Sequence, residues 1–534
     1  MGRSKRRAAP PPEPPVGHAP EIWLFGLALA ARLLHLWWHH ADFWLTTPLL
    51  DDNIFESWAD TIAREGWKAP GLGAFDFNPA YPYFLTAARM VLGRGQLALF
   101  AFQHAAGALL APLLYRVASL AFDRRAGLAA GFLAALYGPA FFFESRLLGE
   151  HWIYLFNAAA LALLLEGGAP GFAGAGLCLG LSAVFRPTVL VFVPVAALWG
   201  LLQLTRPAFL RWAPVFVVGL WLPMLPFQLR NRLIVPGAGW GLSTSSGGVN
   251  LYLGNNPEAD GLNQAPAFVR YGPGHEYQDF TEEAARRLGR PLSRAEVSRY
   301  WAAEVGRFFL ARPGRAGLLV ARKVGFFWNH KEPPDNFFLE IFRRFTRVGD
   351  VPLAAWGLVA PLGLAGLLWS LREGPRHWLL HGYVLCYLAL NAAFYVLSRY
   401  RFPAAAGLIP FAGYALAQLV FTERRASLGV LCAAAFAASR LPLIGEEDPG
   451  VSHYSMGVVY ANRGWKDKAL DEYRASVSAE PAFKASWLNM GILQAEQGRP
   501  AEAAEALSRA AALEADPARK ALIDQNVARL RGGQ

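Results

Sequence analysis

Long apolar stretches recur along the chain, and each is long enough to cross a bilayer as a helix. About eleven windows of roughly 17–22 residues qualify, centred near positions 29, 106, 133, 159, 179, 195, 217, 358, 388, 412 and 434. The composition agrees, because 54% of the residues are hydrophobic and only 17% are charged, whereas soluble proteins carry about a quarter charged residues. The pattern predicts an all-α, polytopic bundle of about eleven membrane helices.

Basic residues mark alternate connections between the predicted spans. By the positive-inside rule these connections face the cytoplasm, so we place the other loops on the outer side of the membrane. The net charge of +11 is then a topology signal. No nucleic-acid-binding motif accompanies it, and we expect no nucleic-acid partner. The marking residues are Arg3, Lys5, Arg6, Arg7, Arg116, Arg124, Arg125, Arg206, Arg211, Arg372, Arg376, Arg424 and Arg425.

The chain divides into three predicted parts. Residues 1–20 are a disordered, basic and proline-rich cytoplasmic tail, and residues 21–445 form the membrane domain. Within that domain, residues 41–80 and 229–349 are outer loops, the second large enough to be a domain of its own. Residues 450–534 form a separate helical tail.

The helical tail repeats itself at a fixed interval. A period of 34 residues is typical of tetratricopeptide repeats, so we expect an α-solenoid of two repeats plus a final helix over 518–531. Its expected role is a protein-binding groove or docking platform, and a plain spacer is the alternative. The pairs that are 34 positions apart are Met456 and Met490, Gly457 and Gly491, Gly464 and Gly498, and Ala469 and Ala503.

Two adjacent carboxylates, Asp51 and Asp52, follow the first span closely. We expect them at the start of a surface helix, facing water and membrane at once, where a carboxylate could act as base on a lipid-borne substrate. The alternative is that one caps the helix and the other is only solvated.

The residues after the acidic pair predict that surface helix. Asn53 followed by Glu56 has the spacing of a helix start. Ile54, Trp58 and Ile62 repeat every fourth residue and predict one apolar face of a helix lying in the membrane interface.

Further charged residues lie on the predicted outer side. Glu150 follows the third span, and Arg399 and Arg401 lie near the membrane against the positive-inside trend. Arginines in such a position suggest an anionic partner such as a lipid phosphate, with anchoring to lipid headgroups as the alternative. Arg32 lies deep in the first span, where a charge faces the bundle interior, snorkels to the interface or pairs with a carboxylate.

A polar loop over residues 241–257 offers amide and hydroxyl groups. Its candidate sugar or acceptor contacts are Asn250, Tyr252, Asn255 and Asn256. Such a composition suits sugar hydroxyls and phosphate, and it is equally typical of an ordinary turn-rich loop.

The order of these motifs resembles the glycosyltransferase C superfamily. The acidic pair, the stretch Asn78-Pro79-Ala80-Tyr81-Pro82, the acidic residue after span three and Arg186-Pro187 carry the resemblance. Residues 247–257 and 399–403 are similar to patterns in bacterial relatives of the dolichyl-phosphate-mannose protein mannosyltransferases and of the aminoarabinose lipid A transferase. The resemblance covers residues 20–440. The acidic pair departs from it, because many relatives have one Asp or Asp-Glu, and the choice between the two aspartates stays open.

The resemblance implies transfer of a sugar from a polyprenyl-phosphate donor to an acceptor hydroxyl on a protein, lipid or glycan, with inversion. It implies Asp51 as the general base, with Asp52 or Glu150 orienting sugar or acceptor. The implied phosphate ligands are Arg399 and Arg401, helped by Arg232 or Lys331. The scheme requires no cofactor, although Asp51, Asp52 and Glu150 could bind Mg²⁺ or Mn²⁺.

Two other functions fit parts of the sequence. An O-antigen ligase or polymerase would use a late outer loop with arginines and a histidine, and His275 and His330 are available. A non-catalytic membrane scaffold that presents the repeats would need neither the acidic pair nor the outer arginines.

Overall fold

The computed structural model describes residues 18–40, 45, 48, 51–73, 75, 78–235, 246–263, 265–266, 268–270, 275–333, 354–371, 373, 377–445 and 449–532. Most of residues 1–20 and 241–245 therefore lie outside the described residues. Within the described part the chain is helical, and the only β-type pairing there is an isolated bridge between Tyr137 and Ala354. The predicted all-α class is confirmed for these residues. The α-helices are Ala19–His39, Asp51–Glu65, Ala80–Leu92, Gln96–Gly107, Leu110–Ala121, Arg124–Ala135, Gly138–Glu144, Glu150–Glu166, Gly168–Phe185, Phe192–Gln203, Arg206–Trp221, Leu225–Ile234, Gly247–Leu253, Glu276–Leu288, Arg294–Ala311, Pro313–Trp328, Trp356–Ser370, Trp378–Ala393, Ser398–Arg401, Ala405–Phe421, Arg425–Ser439, Pro449–Asn462, Lys466–Ala479, Lys484–Glu496, Pro500–Ala512 and Pro517–Gly532.

Several of these helices are long and apolar enough to cross a membrane, so the protein is an integral membrane protein. Within the described ranges four segments qualify alone: Ala19–His39, Gln96–Ala121, Gly168–Phe185 and Ser398–Phe421. A fifth is reached if Arg206–Trp221 and Leu225–Ile234, bent by 47°, count as one span. The predicted count of eleven is not confirmed. Four further predicted spans coincide with apolar helices of 10–17 residues, Pro187–Gln203, Trp356–Ser370, Trp378–Ala393 and Arg425–Ser439.

Glycines let two of the spanning segments pack backbone to backbone. A Cβ atom on Gly176 would lie 2.2 Å from the carbonyl oxygen of Phe216, and one on Gly180 would lie 2.3 Å from that of Leu220. Helices in lipid associate through such close contacts, since burial of apolar surface gives little driving force there. The glycine-rich stretch over 168–185 therefore folds as a packing face.

The surface helix after the first span exists, but it begins earlier and buries a different face. It runs from Asp51 to Glu65, so the two aspartates form its first turn instead of preceding it. Its buried side chains include Phe55, Ala59 and Ile62, so Ile62 alone of the three predicted apolar positions is fully buried. The expectation that Asp51 and Asp52 face water is wrong: they are 4% and 1% exposed, because each has an arginine partner.

The C-terminal helices repeat their local geometry. Gly464 and Gly498 both have positive φ, 74° and 72°, at equivalent turns 34 residues apart. A Cβ on Gly457 would lie 2.5 Å from Tyr473, and one on Gly491 would lie 2.7 Å from Leu507. Both helix pairs thus use a glycine for close contact, and the assignment to tetratricopeptide repeats stays a prediction.

The C-terminal helices contact the segment that was predicted as the large outer loop. Arg519 lies 3.6 Å from Asp279. Just before the first C-terminal helix, the carbonyls of Ile444 and Gly445 accept hydrogen bonds from the Lys331 ammonium at 3.4 Å each. The tail therefore lies on the same side of the bundle as residues 275–333.

Candidate active site

An ion pair joins the first and the last predicted site segments. Arg399, at the start of the Ser398–Phe421 segment, donates from Nη1 to Oδ2 of Asp51 at 2.5 Å. The Asp51 side chain is 6% exposed and that of Arg399 is 12% exposed. The candidate base and the candidate phosphate ligand are thus in direct contact, with the carboxylate buried and the guanidinium partly open to solvent.

A second ion pair lies beside the first. Arg186 donates from Nη2 to Oε1 of Glu150 at 2.5 Å, and its side chain is 16% exposed. The same guanidinium donates from Nη1 to the main-chain oxygen of Arg399 at 3.4 Å. We call Asp51–Arg399 and Glu150–Arg186 the outer pairs.

The other aspartate of the acidic pair is held deeper. Asp52 accepts a hydrogen bond on Oδ2 from Arg146, and the two side chains are 2% and 3% exposed. Asp51 and Asp52 therefore point to different arginines, one at the accessible edge and one in the interior.

Tyrosines connect the outer pairs to the polar loop. The Tyr400 ring lies 4.6 Å from the guanidinium carbon of Arg186 and 5.4 Å from that of Arg399. Its hydroxyl is 3.4 Å from that of Tyr395, which donates to the side-chain oxygen of Asn250 at 3.1 Å. Of the four predicted loop contacts, Asn250 is the one tied to the arginine segment.

A further carboxyl group faces this cluster. Burial raises the pKa of Glu276 above its usual range, the charge of Asp51 adds to the rise and that of Arg399 opposes it. Glu276 opens the helix Glu276–Leu288, so this helix supplies a third acid that interacts electrostatically with Arg399.

Arg401 lies two residues from Arg399 but in a closed environment. Its side chain is fully buried and donates to the main-chain oxygens of Phe326, Phe327, Asn329 and Lys331 at 2.8–3.3 Å. It also donates to Glu332 Oε2 at 2.9 Å. These bonds hold the turn that carries Arg399 against the segment 326–332.

The remaining predicted residues do not meet at the outer pairs. Asn255 donates to the main-chain oxygens of Leu251 and Ala393 and accepts from Lys323 at 2.7 Å, and Asn256 donates to those of Tyr252 and Leu253. The Tyr252 ring packs 4.5 Å from that of Trp301. Lys331 contacts the residues before the C-terminal helices, and Arg232 is exposed on Leu225–Ile234.

Below the outer pairs lies a buried polar cluster, which we call the inner network: Arg32, Tyr81, Gln103, His104 and Glu144. Arg32 contacts Glu144 through Nε at 2.8 Å and Nη2 at 2.9 Å, and His104 Nδ1 lies 2.8 Å from the same carboxylate. Arg32, His104 and Glu144 are fully buried. Arg32 therefore both faces the bundle interior and pairs with a carboxylate.

The inner network reaches the site through the main chain. Gln103 donates from Nε2 to the main-chain oxygens of Glu144 and Arg146 at 2.8 and 3.1 Å, and Tyr81 donates to Gln103 Oε1 at 2.9 Å. These bonds fix the turn that presents Arg146 to Asp52. Tyr81 belongs to the Asn78–Pro82 stretch, so that motif stabilises the turn that carries Arg146.

The three predicted acids do not form a metal-ligand set. Asp51, Asp52 and Glu150 each face a different arginine, and no group of three or more His, Cys, Asp or Glu side chains within the described ranges is arranged to hold a metal ion. The arrangement of these three carboxylates therefore does not fit the Mg²⁺ or Mn²⁺ that the sequence left open.

The candidate residues drawn from the sequence leave out Arg146 and Glu276, and they give Arg186 no role beyond the resemblance. Arg146 and Arg186 were visible at the outer ends of predicted spans, and arginines facing an acidic pair are a usable signal. No sequence signal singled out Glu276, because it is one of many acidic residues in a long polar segment.

Comparisons with known proteins give structural similarity alone. No protein-family model matches the chain, and no curated protein matches it. Among solved structures it is similar to the apo oligosaccharyltransferase of Archaeoglobus fulgidus, with a TM-score of 0.45, 14% identity and coverage of 84% of this chain and 59% of that one. The same archaeal enzyme, AglB, in complex with an inhibitory peptide and a dolichol-phosphate gives a TM-score of 0.44, 16% identity and coverage of 84% and 59%.

A bacterial structure is similar over more of its length. ArnT from Cupriavidus metallidurans bound to undecaprenyl phosphate gives a TM-score of 0.42 and 12% identity, with coverage of 95% of this chain and 77% of that one. The chain spans about three fifths of the archaeal enzyme. At these values the likeness assigns no residue and no activity to this chain.

Proposed function

We propose that the protein is a membrane glycosyltransferase that moves a sugar from a polyprenyl-phosphate donor to an acceptor hydroxyl, with inversion at the sugar. The proposal places the reaction on the periplasmic side of a bacterial inner membrane. The observation that carries it is the Asp51–Arg399 pair, since a carboxylate and a guanidinium in contact at an accessible edge are the two groups this reaction needs.

The chemistry explains why these two groups suffice. A phosphate leaving group is already stable as an anion, so it requires charge neutralisation more than protonation, and arginine supplies this through charge-assisted hydrogen bonds. The acceptor hydroxyl is a poor nucleophile and requires a base within hydrogen-bond reach. In the proposed step Asp51 takes the hydroxyl proton, the acceptor oxygen bonds the anomeric carbon, and the bond to the phosphate oxygen breaks with its electrons on the phosphate.

Burial favours Asp51 over Asp52 as the base. The partner of Asp51 is 12% exposed, whereas the partner of Asp52 is 3% exposed and lies over the inner network. A substrate approaching from solvent or lipid therefore meets Asp51 first. We assign Asp52 to positioning the first turn of the helix, and Glu150 to positioning Arg186.

The same reasoning divides the predicted phosphate ligands. Arg399 is the proposed ligand, and Arg401 positions it, because the described bonds of Arg401 go to carbonyl groups and Glu332. Lys331 and Arg232 are left for contacts further along the lipid or its headgroup region. In the polar loop, Asn250 is the proposed contact for sugar or acceptor.

The helical tail is the proposed docking platform for an acceptor protein. The contact between Arg519 and Asp279 supports this, because it keeps the tail on the segment that contributes Glu276 to the site.

Sugar transfer by the purified chain tests the proposal. The protein in detergent is given a panel of radiolabelled polyprenyl-phosphate sugars, and both donor hydrolysis and transfer to membrane extracts are measured. We expect turnover by wild type and a loss of about 10²–10⁴-fold in Asp51→Asn, with a smaller loss in Asp52→Asn. Asp60→Asn is the matched control, because Asp60 lies on the same helix and pairs with Arg94 at 3.2 Å.

Other outcomes separate the competing functions. Full activity in both site variants would remove the acidic pair from the mechanism. Activity lost with His275 or His330 instead would favour the ligase or polymerase. A folded protein that is inactive with every donor would favour the scaffold.

A further inference from the structure

The two outer pairs share one aromatic platform. Arg186 and Arg399 both lie over the Tyr400 ring, at 4.6 and 5.4 Å, and Arg186 donates to the main chain of Arg399. Each guanidinium contacts a carboxylate at 2.5 Å, on Glu150 and Asp51 respectively. The cluster is thus a compact group of two cations and two anions.

We propose that Arg186 and Arg399 form one anion-binding site for the donor phosphate, and that Asp51 and Glu150 are the built-in anions that the phosphate displaces. This rests on the proposed function for the identity of the anion. It adds Arg186 as a binding residue and makes donor binding the event that releases the base.

Geometry supports exchange at these pairs. The guanidiniums are 12% and 16% exposed, whereas the paired Arg32 and Arg401 are fully buried. A phosphate oxygen has the same charge-assisted bonding to a guanidinium fork as a carboxylate oxygen. The phosphate can therefore replace the carboxylates without any rearrangement of the buried arginines.

The exchange also resolves a conflict within the site. Asp51 and Arg399 occupy each other in the structure, so neither can serve the reaction while the pair persists. Once phosphate oxygens accept the hydrogen bonds of Arg399 and Arg186, Asp51 can turn to the acceptor hydroxyl and receive its proton. The sugar then passes to the acceptor oxygen, and the electrons of the broken bond stay on the phosphate.

Anion affinity of carboxylate variants is the test. The full chain in detergent is titrated with a short-chain polyprenyl monophosphate and, separately, with inorganic phosphate. Removing a competing anion should tighten binding, so Asp51→Asn and Glu150→Gln should each bind several-fold more tightly than wild type. Arg186→Gln and Arg399→Gln should bind about tenfold or more weakly, the loss of one charge-assisted bond.

A control variant shows whether a change in anion affinity is specific to the outer pairs. Arg290→Gln, which removes a guanidinium from the exposed Arg290–Glu296 pair, should bind as wild type. If Asp51→Asn folds poorly, Glu150→Gln carries the same prediction, and Arg186→Lys should recover part of the affinity. Binding that is unchanged or weaker in the folded carboxylate variants, or unchanged in Arg186→Gln, would overturn the inference.

Lipid and inorganic phosphate distinguish the source of the anion. Tighter binding of the lipid form supports a lipid-borne donor, and equal binding would overturn that part of the inference. If wild type transfers sugar but affinity is the same in every variant, the inference fails and the proposed function stands. If affinity follows the predicted order but no donor is used, the proposed function fails and the anion site stands.

Discussion

The inner network and the outer pairs use the same residue types for opposite purposes. In the inner network Arg32 contacts Glu144 with two nitrogens at 2.8 and 2.9 Å, and both side chains are fully buried. In the outer pairs the guanidiniums are 12% and 16% exposed.

This difference in solvent exposure determines which ion pairs can exchange a partner. A buried charge without its partner is expensive, so the Arg32–Glu144 pair must persist for the fold to persist. A pair at an accessible edge can trade its carboxylate for a ligand, because solvent and substrate can reach it. The same contrast separates Arg401 from Arg399 within a single turn.

Removing the carboxylate of the inner network should give the largest loss of stability. Glu144→Gln leaves Arg32 buried without its counter-charge, and we expect a decrease of about 3–5 kcal/mol in the free energy of unfolding. Glu150→Gln, the matched change in an outer pair, should cost less, because solvent still reaches the Arg186 guanidinium. Unfolding of both variants in mixed micelles measures the difference, and equal losses would break the distinction between the two regions.

The arginines of the Ser398–Arg401 turn offer the next contrast. Arg401→Lys removes the planar fork that bonds several carbonyls and Glu332, and we expect a loss of about 2–3 kcal/mol in unfolding free energy. Arg399→Lys should unfold like wild type and bind a polyprenyl monophosphate more weakly. A stable Arg401→Lys variant with impaired phosphate binding would reverse these assignments.

Lys323 is a buried lysine whose described hydrogen bond does not go to a carboxylate, and it should make the stability of the protein depend on pH. Burial lowers its pKa to about 7, and its described bond goes to the neutral oxygen of Asn255 at 2.7 Å. Because the folded pKa lies below the unfolded value, the unfolded chain binds more protons between pH 7 and the usual lysine range. Stability should therefore rise with pH across that window, and Lys323→Met should flatten the rise and stabilise the protein by about 1 kcal/mol at pH 6. An unchanged pH profile in the variant would show that Lys323 is solvated.

Glu276 should give the smallest effect, of opposite sign. Its pKa is raised, so the folded state holds the proton more tightly, and stability should fall as pH rises through the folded pKa. Glu276→Gln should remove that fall, changing unfolding free energy by about 1 kcal/mol or less at neutral pH. A fall that persists in the variant would assign it to another carboxyl group.

The sequence predicted the parts of the site that depend on local pattern. Long apolar windows located membrane helices, and the position of Asp51, Glu150 and Arg399 beside them predicted a shared side. Their contacts bring the three segments together, and the assignment of that side to the periplasm stays a prediction. Gly464 and Gly498 recur 34 residues apart, and both adopt positive φ, while the assignment to tetratricopeptide repeats stays a prediction.

What could not be predicted is the choice of partner. Arg399 and Arg401 are alike in sequence, and only the approach of residues 326–332 encloses one of them. Asp51 and Asp52 are adjacent, and only the turn at residues 144–146 gives Asp52 its own arginine. Such pairings join residues far apart in the chain, so no local pattern contains them. The count of eleven spans is not confirmed, since several apolar helices are shorter than the windows that predicted them.

The central claim is that Asp51 is the base and exchanges its place on Arg399 with the donor phosphate. Transfer at saturating polyprenyl-phosphate sugar, compared among wild type, Asp51→Asn and Asp60→Asn, tests it most directly. The account predicts that kcat of Asp51→Asn falls by about 10²–10⁴-fold while its KM for the donor does not rise, and that Asp60→Asn behaves as wild type. A kcat for Asp51→Asn that recovers to the wild-type value at saturating donor would contradict the account.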